Sequence, residues 1–450
     1  MTRASGPIGI AETWDLRAPE RYLLGWCVLC IALGFCMLWG SSHFSGDSIA
    51  WLDLLPLGLF ATSLMALHLL LVVARFRGDQ LIVTAVAFLS GFGLLAQYRM
   101  GSFEAQDPIA LNLVLFPTGF LVMSVVCIIL MRGRYLAWGS VHLMWIWGGL
   151  SLGLLALLLT FGQRFRGGVY AAGLVTPSEA LKVTIVLFLA AFITHHAKAL
   201  GDWGKGLPFP PLRTLLPLVG FWLVLAALLM VQRDLGLFIV LSVALLMMLL
   251  AGTGHIGYLI YATITALILA VGVMWLLPHG ERRVDAWLSP FQDPTGSSWQ
   301  ILQGLSGMYS GGLWGDGFGR GSPEYTPIAE SDFIYSVIGE ELGFVGCAIV
   351  IVFFLVLFGR GVSVATRTRG TYGQLVGIGL ITVLATQTFL NIGGVTKLVP
   401  MTGIPLPFIS HGGSSLITGF ASLGWLLAIS DGQADGPPRK QSSKKKTPAV

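Results

Sequence analysis

The sequence predicts an all-α polytopic membrane protein with about twelve transmembrane helices. Of its 450 residues, 55% are apolar and only 11% are charged, whereas soluble domains average roughly 45–50% and 25%. A helix needs about 20 mostly apolar residues to cross the hydrocarbon core of a bilayer. Twelve segments meet this requirement: 21–40, 51–74, 80–97, 108–131, 138–160, 177–195, 213–231, 235–251, 256–277, 332–358, 371–392 and 405–429.

The N-terminal part, residues 1–79, combines a polar beginning with the first two spans. Its first apolar run leads into a second span without a small-residue cleavage site, so no cleavable signal peptide is expected. Cys27 and Cys30 form a C-x-x-C pair inside this run without a His or acidic companion. This context favours packing over metal or redox chemistry. The other ten spans lie in residues 80–430.

The distribution of basic residues predicts the orientation, because loops rich in Lys and Arg stay in the cytoplasm. With the N-terminus inside, the inner loops and the two tails hold 18 of the 27 Lys and Arg residues, the outer loops hold eight, and Lys182 lies in a span. Both termini are therefore expected in the cytoplasm. The net charge is +5 and the basic residues form no stripe with interleaved aromatics, so no nucleic-acid partner is expected.

This orientation makes residues 278–331 the one long loop on the outer face, and long loops often carry function. The loop includes a Gly-rich stretch, 315–321, that superficially resembles a phosphate-binding loop. It follows no predicted strand, so a dinucleotide site is a poor interpretation. Residues 431–450 are rich in Gly, Pro, Ser and Lys. They are expected to form a disordered basic tail that contacts anionic membrane lipid.

Ionisable residues inside a membrane usually face a cavity or one another, which makes them candidates for function. Glu179 and Lys182 open the sixth span three residues apart and share one helix face. They are candidates for a charge pair that faces a central cavity. The alternative is structural: Thr176 and Glu179 fit a capping box with Pro177 at the first helical position.

A polar break, Gln232-Arg233-Asp234, separates the seventh and eighth spans at the predicted outer face. Asp234 is the candidate catalytic residue, because a carboxylate beside a low-dielectric wall is suited to act as a general base. The alternative is that Asp234 is only the N-cap of the eighth span.

The segment 403–415 reads as an interrupted helix, with two prolines followed by Gly412-Gly413-Ser414-Ser415. A helix that restarts inside the membrane points free amides and a positive dipole end into the cavity, where an anion fits. The alternative is close packing of small residues between helices. Packing accounts for the two glycines better than for the two serines.

At these residues the chain resembles the SEDS family of shape, elongation, division and sporulation proteins typified by FtsW and RodA. The resemblance runs from about residue 80 to 430. Gln232 to Gly236 looks like the family's Gln-x-Asp-Leu-Gly motif, and Arg283 with Asp293, Pro294, Gly296 and Gln300 looks like its loop signature. Ser331-Asp332-Phe333, Gly339 to Gly343, and the run from Asn391 to Ser415 continue the pattern.

The sequence departs from the family at four places. His411 stands where Tyr is usual, Lys397 where Gly is usual and Ile328 where Glu is usual, and the usual Arg-Arg-Trp is missing before Thr176. These departures bear on substrate contacts and subfamily.

The resemblance implies a ten-span core with two additional N-terminal spans, and peptidoglycan glycosyltransfer from lipid II, a disaccharide-peptide on undecaprenyl diphosphate. Asp234 would act as general base or orient the attacking sugar hydroxyl. The leaving diphosphate would be stabilised by Arg233, Lys397, a divalent cation or the amides near Ser414. The candidate substrate-binding residues are Glu179, Lys182, Gln232, Arg233, Arg283, Asp332, Lys397, Ser414 and Ser415; no metal ligand or certain cofactor is predicted.

The resemblance also implies a bacterial cytoplasmic-membrane location and a class B penicillin-binding transpeptidase as partner. Two other functions stay open. One is a flippase or transporter for the lipid-linked precursor, for which inverted repeats would be expected. The other is a non-catalytic scaffold for the transpeptidase.

Overall fold

The computed structural model describes residues 9–44, 51–101, 111–161, 163–165, 168–170, 176–203, 212–232, 234–265, 284–296 and 298–431. Within these ranges the chain is almost entirely helical. The helices are α1 Ile10–Leu16, α2 Ala18–Phe44, α3 Leu55–Val73, α4 Leu81–Arg99, α5 Leu111–Leu130, α6 Val141–Phe161, α7 Pro177–Gly201, α8 Leu212–Gln232, α9 Leu235–Thr253, α10 257–265, α11 284–288, α12 Trp299–Ser310, α13 Ile334–Arg367, α14 Thr371–Val395 and α15 Gly413–Asp431. Two short strands, β1 Gln163–Phe165 and β2 Gly168–Tyr170, pair antiparallel.

The predicted fold class is confirmed, but the predicted number of spans is not. In the described part of the chain, ten helices are long and apolar enough to cross a membrane, and Val114–Leu130 of α5 is a shorter apolar helix. The predicted ninth span, 256–277, is described only over 256–265, and residues 257–265 of it form α10. The long runs of apolar residues therefore do form helices of membrane-spanning length.

The predicted twelfth span begins at the wrong place. It was expected over 405–429, whereas α15 begins at Gly413 and the chain between α14 and α15 is non-helical. Pro405 and Pro407, at the start of the predicted span, have no backbone N–H to donate. Phe408 also has a left-handed backbone, with φ of +65°. A continuous helix cannot pass through these residues, so the segment 396–412 is free to fold back over the bundle.

Helix α13 is broken near its N-terminal end. Gly343 has φ of +66° and ψ of −165° within the 34 residues of Ile334–Arg367. A Cβ atom on Gly343 would lie 2.4 Å from the backbone N of Gly315 and 2.6 Å from the carbonyl carbon of Leu313. Only glycine fits here. The break separates a short segment beside the long loop from the apolar segment that crosses the membrane.

The centre of the bundle consists of α4, α7, α14 and α15. In each of these helices, about two-thirds or more of the most apolar stretch is buried within the protein. Helix α13 packs on α4 and α14, α9 packs on α7 and α14, and α6 packs on α7. The two N-terminal spans lie against this core, with α2 on α4 and α3 on α5. Helix α8 is the most exposed of the ten long apolar helices, as expected for a helix whose surface faces lipid.

The two ends of the bundle are tied by different polar contacts. At one end, here called the terminal side, the Asp431 carboxylate accepts hydrogen bonds from the backbone N–H groups of Arg77 (2.9 Å) and Arg132 (3.3 Å). Asp79 and Arg360 form an ion pair at the same end. The long loop covers the opposite end, here called the loop side, and the candidate site lies there.

Candidate functional site

The non-helical segment 396–412 organises the loop side, because polar contacts hold it to two other parts of the chain and within itself. Gln97 Nε2 of α4 donates to the Ile409 carbonyl at 2.8 Å. The Ser410 hydroxyl donates to the Ser331 carbonyl at 2.5 Å and accepts from the Leu406 N–H at 2.8 Å. The segment is therefore a fixed part of the site, although it has no regular secondary structure.

Asp234 is confirmed as the N-cap of α9. Its Oδ1 accepts a hydrogen bond from the backbone N–H of Leu237 at 2.9 Å. The structural interpretation of Asp234 is therefore correct, and a catalytic role for it stays a prediction. Because capping uses one carboxylate oxygen, a proton-accepting role would fall to Oδ2. The side chain is half-buried.

The neighbours of Asp234 in its motif differ in their contacts. Gln232 is buried and its Nε2 donates to the Leu155 carbonyl of α6 at 3.3 Å. Arg233 lies outside the described residues, as does Arg283, so the predicted roles of these two cations stay predictions. Gly236 packs directly on the segment 402–404, since a Cβ atom there would lie 2.8 Å from Ile404 Cδ1 and 3.3 Å from Thr402 Cβ.

Asp332 lies on the other flank of the same three residues. Its Oδ2 is 3.6 Å from the position that a Cβ atom on Gly403 would take, and its Oδ1 accepts from the Ser331 hydroxyl at 3.2 Å. Asn391 Nδ2 donates to the Asp332 carbonyl at 3.0 Å. The segment 402–404, here called the strip, thus separates the start of α9 at Asp234 from Asp332.

Glu179 and Lys182 form the predicted ion pair, with 2.6 Å between Lys182 Nζ and Glu179 Oε2. The predicted capping box is wrong, because the Thr176 side chain makes no capping hydrogen bond. The Thr176 backbone N–H instead donates to the Ser414 hydroxyl at 2.6 Å, and Ser414 donates to Thr176 Oγ1 at 3.3 Å. A tertiary partner has taken the place of the local cap.

These contacts bring together the N-terminal ends of two central helices, α7 and α15. The Ser414 hydroxyl joins them, and Ser415 is half-buried beside it. Two positive dipole ends and the Lys182 ammonium at one place favour anionic groups, although Glu179 already pairs with that ammonium. Ser414 therefore has a bridging role that the alternative of small-residue packing does not describe.

Lys397 follows α14 in a left-handed conformation, with φ of +62°. Its carbonyl oxygen accepts a hydrogen bond from Trp287 Nε1 at 3.0 Å, which ties the turn after α14 to the long loop. Glycine tolerates this conformation without strain, so Lys397 adopts it at some cost. Its predicted contact with the diphosphate stays a prediction.

An ion pair that the sequence analysis did not single out holds the long loop in place. Arg99 Nε lies 2.7 Å from Glu341 Oε1, and Arg99 Nη2 donates to the Gly321 carbonyl at 2.7 Å. Glu341 accepts from the Gly319 N–H at 3.2 Å, and neighbouring Glu340 accepts from the Ser322 N–H at 2.7 Å. In the sequence, these two consecutive acidic residues stood out only as part of the family pattern Gly339 to Gly343.

The same contacts explain the Gly-rich stretch 315–321. A Cβ atom on Gly315 would lie 2.1 Å from the Glu341 carbonyl oxygen. The Asp316 and Gly317 N–H groups donate to the carbonyls of Glu340 and Glu341. These glycines allow backbone to pack on backbone, so the poor match to a phosphate-binding loop has a structural explanation.

A cavity of about 540 Å³ lies on the loop side, between the end of α4 and residues 323–330 of the long loop. Its lining includes Arg99, Glu324, Ile328 and Glu330. Ile328, which departs from the family pattern, has a left-handed φ of +53°. His411, another departure, donates its backbone N–H to the Glu330 carbonyl at 2.7 Å. Ile328 and His411, two of the positions that depart from the family pattern, therefore both lie at this cavity or next to its lining.

The described residues contain no group of three or more His, Cys, Asp or Glu side chains that could hold a metal ion. A divalent cation on the diphosphate stays a prediction. The structure thus brings Asp234, Asp332, Asn391 and the strip together on the loop side. A second cluster unites Thr176, Glu179, Lys182 and Ser414.

The chain matches a family model for FtsW, RodA and SpoVE, described as cell cycle proteins, over residues 79–434. It is 30% identical over 452 residues to the peptidoglycan glycosyltransferase RodA of Mycobacterium tuberculosis H37Rv, covering 96% of this chain and 94% of that protein. It is 31% identical to a probable peptidoglycan glycosyltransferase FtsW of Geobacter metallireducens, covering 79% and 95% of the two chains. It is also 34% identical to stage V sporulation protein E of Bacillus subtilis, covering 60% and 72%.

Two solved structures share the fold. One is a chain of a peptidoglycan synthase complex that coordinates polymerization and crosslinking, with a TM-score of 0.63, 26% identity and coverage of 80% of this chain and 99% of that one. The other is the rod shape determining protein RodA of Thermus thermophilus, with a TM-score of 0.54, 24% identity and coverage of 78% and 96%. The mycobacterial match extends over both N-terminal spans.

Proposed function

Because the chain belongs to the FtsW/RodA/SpoVE family, we propose that it is a peptidoglycan glycosyltransferase that polymerises lipid II into glycan strands. The observation that supports the proposal is that the strip packs on the first turn of α9, which Asp234 caps, and that Asp332 lies on its other flank. The relatives are named peptidoglycan glycosyltransferases, and their activity is proposed for this chain on that basis.

The reaction joins the 4-hydroxyl oxygen of one sugar to the anomeric carbon of the growing lipid-linked chain. The bond from that carbon to the diphosphate breaks, and undecaprenyl diphosphate leaves with the bonding electron pair. The hydroxyl proton must pass to a base, and we assign this role to the oxygen of Asp234 that does not cap α9. The leaving diphosphate gains negative charge, which the α7 and α15 N-terminal ends with Lys182, or Lys397 and Arg233, are suited to stabilise.

Asp332 is the second candidate for the base. The side-chain amide of Asn391 donates to its backbone carbonyl, and the Ser331 hydroxyl donates to its Oδ1. A fixed carboxylate is what a general base requires. The two candidates make different predictions for the same assay.

The test is a gel assay of glycan strands made from lipid II by the purified protein. Asparagine is the informative replacement, because it caps a helix about as well as Asp but cannot accept the proton. General-base catalysis typically contributes about 100- to 10,000-fold, so the replaced base should lose activity on that scale. Asp316→Asn is the control, because that side chain is exposed on the same loop.

The outcomes separate the assignments. A large loss in Asp234→Asn with mild effects in Asp332→Asn supports Asp234, and the reverse pattern supports Asp332. Normal activity in both variants contradicts the proposed site. If the wild-type protein translocates labelled lipid II without making polymer, the flippase is the correct function; if it only raises transpeptidase activity, the scaffold is correct.

The location and partner belong to the same proposal. We infer a bacterial cytoplasmic membrane with the loop side outward and both termini in the cytoplasm, which matches the 18 to eight distribution of basic residues. A class B penicillin-binding transpeptidase is the proposed partner, supported by the similarity to a chain from a complex that couples polymerization to crosslinking. Co-purification with such a transpeptidase tests the pairing, and labelling of single cysteines in the loop tests the orientation.

A further inference from the structure

Three buried polar groups around the strip have no hydrogen-bond partner among the residues that the structure describes. They are Gln387 Nε2 and Asn391 Oδ1 on α14, and Thr402 Oγ1 on the strip itself. Gln387 is 3% exposed and Asn391 4%. A buried polar group without a partner costs about 1–3 kcal/mol, so three of them at one place call for an explanation.

The amide orientation of Asn391 is determined by its contacts. Its Nδ2 donates to the Ile404 carbonyl at 2.8 Å and to the Asp332 carbonyl at 3.0 Å. A carbonyl can only accept, so the nitrogen must face these two atoms and Oδ1 must face elsewhere. Asn391 therefore presents a hydrogen-bond acceptor.

The other two groups lie close by and complement this acceptor. Gln387 is four residues before Asn391, on the same face of α14 and one turn deeper, and its Nε2 offers two donors. Thr402 is two residues before Ile404, which Asn391 holds, and packs on Gly236 near the start of α9. Its hydroxyl is both donor and acceptor.

We propose that Gln387, Asn391 and Thr402 form a sugar-binding subsite for the headgroup of a lipid-linked glycan substrate. This inference rests on the proposed function. An amino sugar with hydroxyl and N-acetyl groups supplies both donors and acceptors, which satisfies all three side chains. A diphosphate has only acceptor oxygens and would repel Asn391 Oδ1, and an isoprenoid tail would leave all three groups unsatisfied.

The place of the subsite agrees with this ligand. The strip packs on the first turn of α9, which Asp234 caps, and on its other flank lies near Asp332, so a sugar held against the strip lies beside a candidate base. Asn391 also fixes the Asp332 backbone, which joins recognition of the sugar to the position of that carboxylate. Thr402 and Gln387 have no such bond, so they are the better residues to replace.

Thr402→Val and Gln387→Leu remove the polar groups while approximately preserving shape. Since neither group has a protein partner within the described ranges, each change should leave the melting temperature without ligand unchanged or higher. Ser90→Ala is the matched control, because Ser90 on α4 is also buried with an unpartnered hydroxyl. It should have the same effect on stability and none on substrate binding.

The measurement compares melting temperatures of the purified protein with saturating lipid II and with undecaprenyl diphosphate, which has no sugar. Lipid II should raise the melting temperature of the wild type more than undecaprenyl diphosphate does. Thr402→Val and Gln387→Leu should lose this sugar-dependent gain but keep the gain from undecaprenyl diphosphate. The KM for lipid II should rise about three- to tenfold, the equivalent of one lost hydrogen bond, with kcat nearly unchanged.

Retention of the sugar-dependent gain and of the wild-type KM in both variants overturns the subsite. Loss of the gains from both ligands overturns it as well, because the groups would then bind the diphosphate or the lipid. A wild type that shows the sugar-dependent gain but makes no glycan contradicts the polymerase proposal and leaves the subsite intact. A wild type that makes glycan, with unaffected variants, contradicts the subsite alone.

Discussion

Asn391 holds Asp332 in place through its side-chain amide, whose Nδ2 lies 3.0 Å from the Asp332 carbonyl oxygen. The same nitrogen bonds the Ile404 carbonyl at 2.8 Å. One buried amide on α14 thus ties the end of the long loop to the strip. The position of a candidate catalytic carboxylate therefore depends on a residue almost 60 positions away in the chain.

Replacement of Asn391 by Ala should lower both stability and activity. Two buried carbonyls lose their donor, at a cost of about 1–3 kcal/mol for each group left unsatisfied. A shift of about 1 Å in a reacting group can reduce the rate by about 100-fold. Thermal unfolding in detergent and the glycan gel assay test this. Thr396→Ala, an exposed hydroxyl just beyond the same helix, is the control, and equal effects of the two changes would contradict the role of Asn391.

Gly93→Ala should destabilise the protein because α4 packs directly on the non-helical segment. A Cβ atom there would lie 2.7 Å from both Cα and O of Ile409, and overpacking of this kind costs about 1–3 kcal/mol. Gly153→Ala on α6 should instead stabilise by about 0.5–1 kcal/mol, because nothing lies within 4 Å and Ala is the better helix former. Unfolding temperatures that shift in the same direction in both variants would refute the close approach.

The contributions of Arg99 and Glu341 to stability should depend on one another. Removing either charge leaves the other unpaired near the base of the loop, and the loss is larger for the mostly buried Glu341. Arg99→Gln and Glu341→Gln should each lower the unfolding temperature of the wild type. Each replacement should have a smaller effect when the other side chain has already been replaced. A double-mutant cycle measures this, and simple additivity would show that the two side chains do not interact.

The N-terminal spans should depend on a buried cluster of charges on the terminal side. Glu20 contacts Arg17 and, at 2.8 Å, the Nδ1 atom of His68 on α3, and all three residues are fully or almost fully buried. Glu20→Gln leaves Arg17 with an uncompensated buried charge, a change that typically costs about 3–5 kcal/mol. Limited proteolysis should then cut within residues 9–76 sooner than in the wild type. Glu12→Gln, an exposed acid in α1, should have no effect.

Asp234 should contribute to stability through its cap independently of any catalytic role. Asp234→Ala is expected to lower the free energy of unfolding by about 0.5–2 kcal/mol, whereas Asp234→Asn should change it little. The comparison of unfolding in the two variants separates the cap from the base. Equal stability of the Ala and Asn variants would mean that the Leu237 hydrogen bond has no net effect.

Much of the fold follows from the sequence because membrane insertion depends on local composition. A run of about 20 apolar residues must become a helix in lipid, where every backbone polar group needs an internal partner. This reasoning predicted α2, α3, α4, α9 and α14 close to their observed bounds, whereas α7 continues to Gly201, beyond its predicted end at residue 195. It placed the start of α15 too early, at residue 405, because apolar content extends over this segment; the two prolines that predicted an interruption over 403–415 were the better guide, since α15 begins only at Gly413.

The local role of Asp234 was also predictable, since an N-cap depends only on residues a few positions away. The contact that Thr176 makes at the start of α7 was not predictable from local sequence. The Thr176 backbone N–H is satisfied by Ser414, 238 residues later, and no sequence spacing reports such a partner. A local motif predicts the correct contact only where no distant group competes for it.

The sequence by itself determined that this chain is a helical membrane protein, which residues are polar within the membrane, and which family its motifs match. Only the tertiary structure decided which of those residues meet. It placed the start of α9, which Asp234 caps, and Asp332 on either side of one strip, joined α7 to α15 through Ser414, and paired Arg99 with Glu341. The reason is physical: composition acts on one helix at a time, whereas a site depends on the packing of helices that are far apart in the chain.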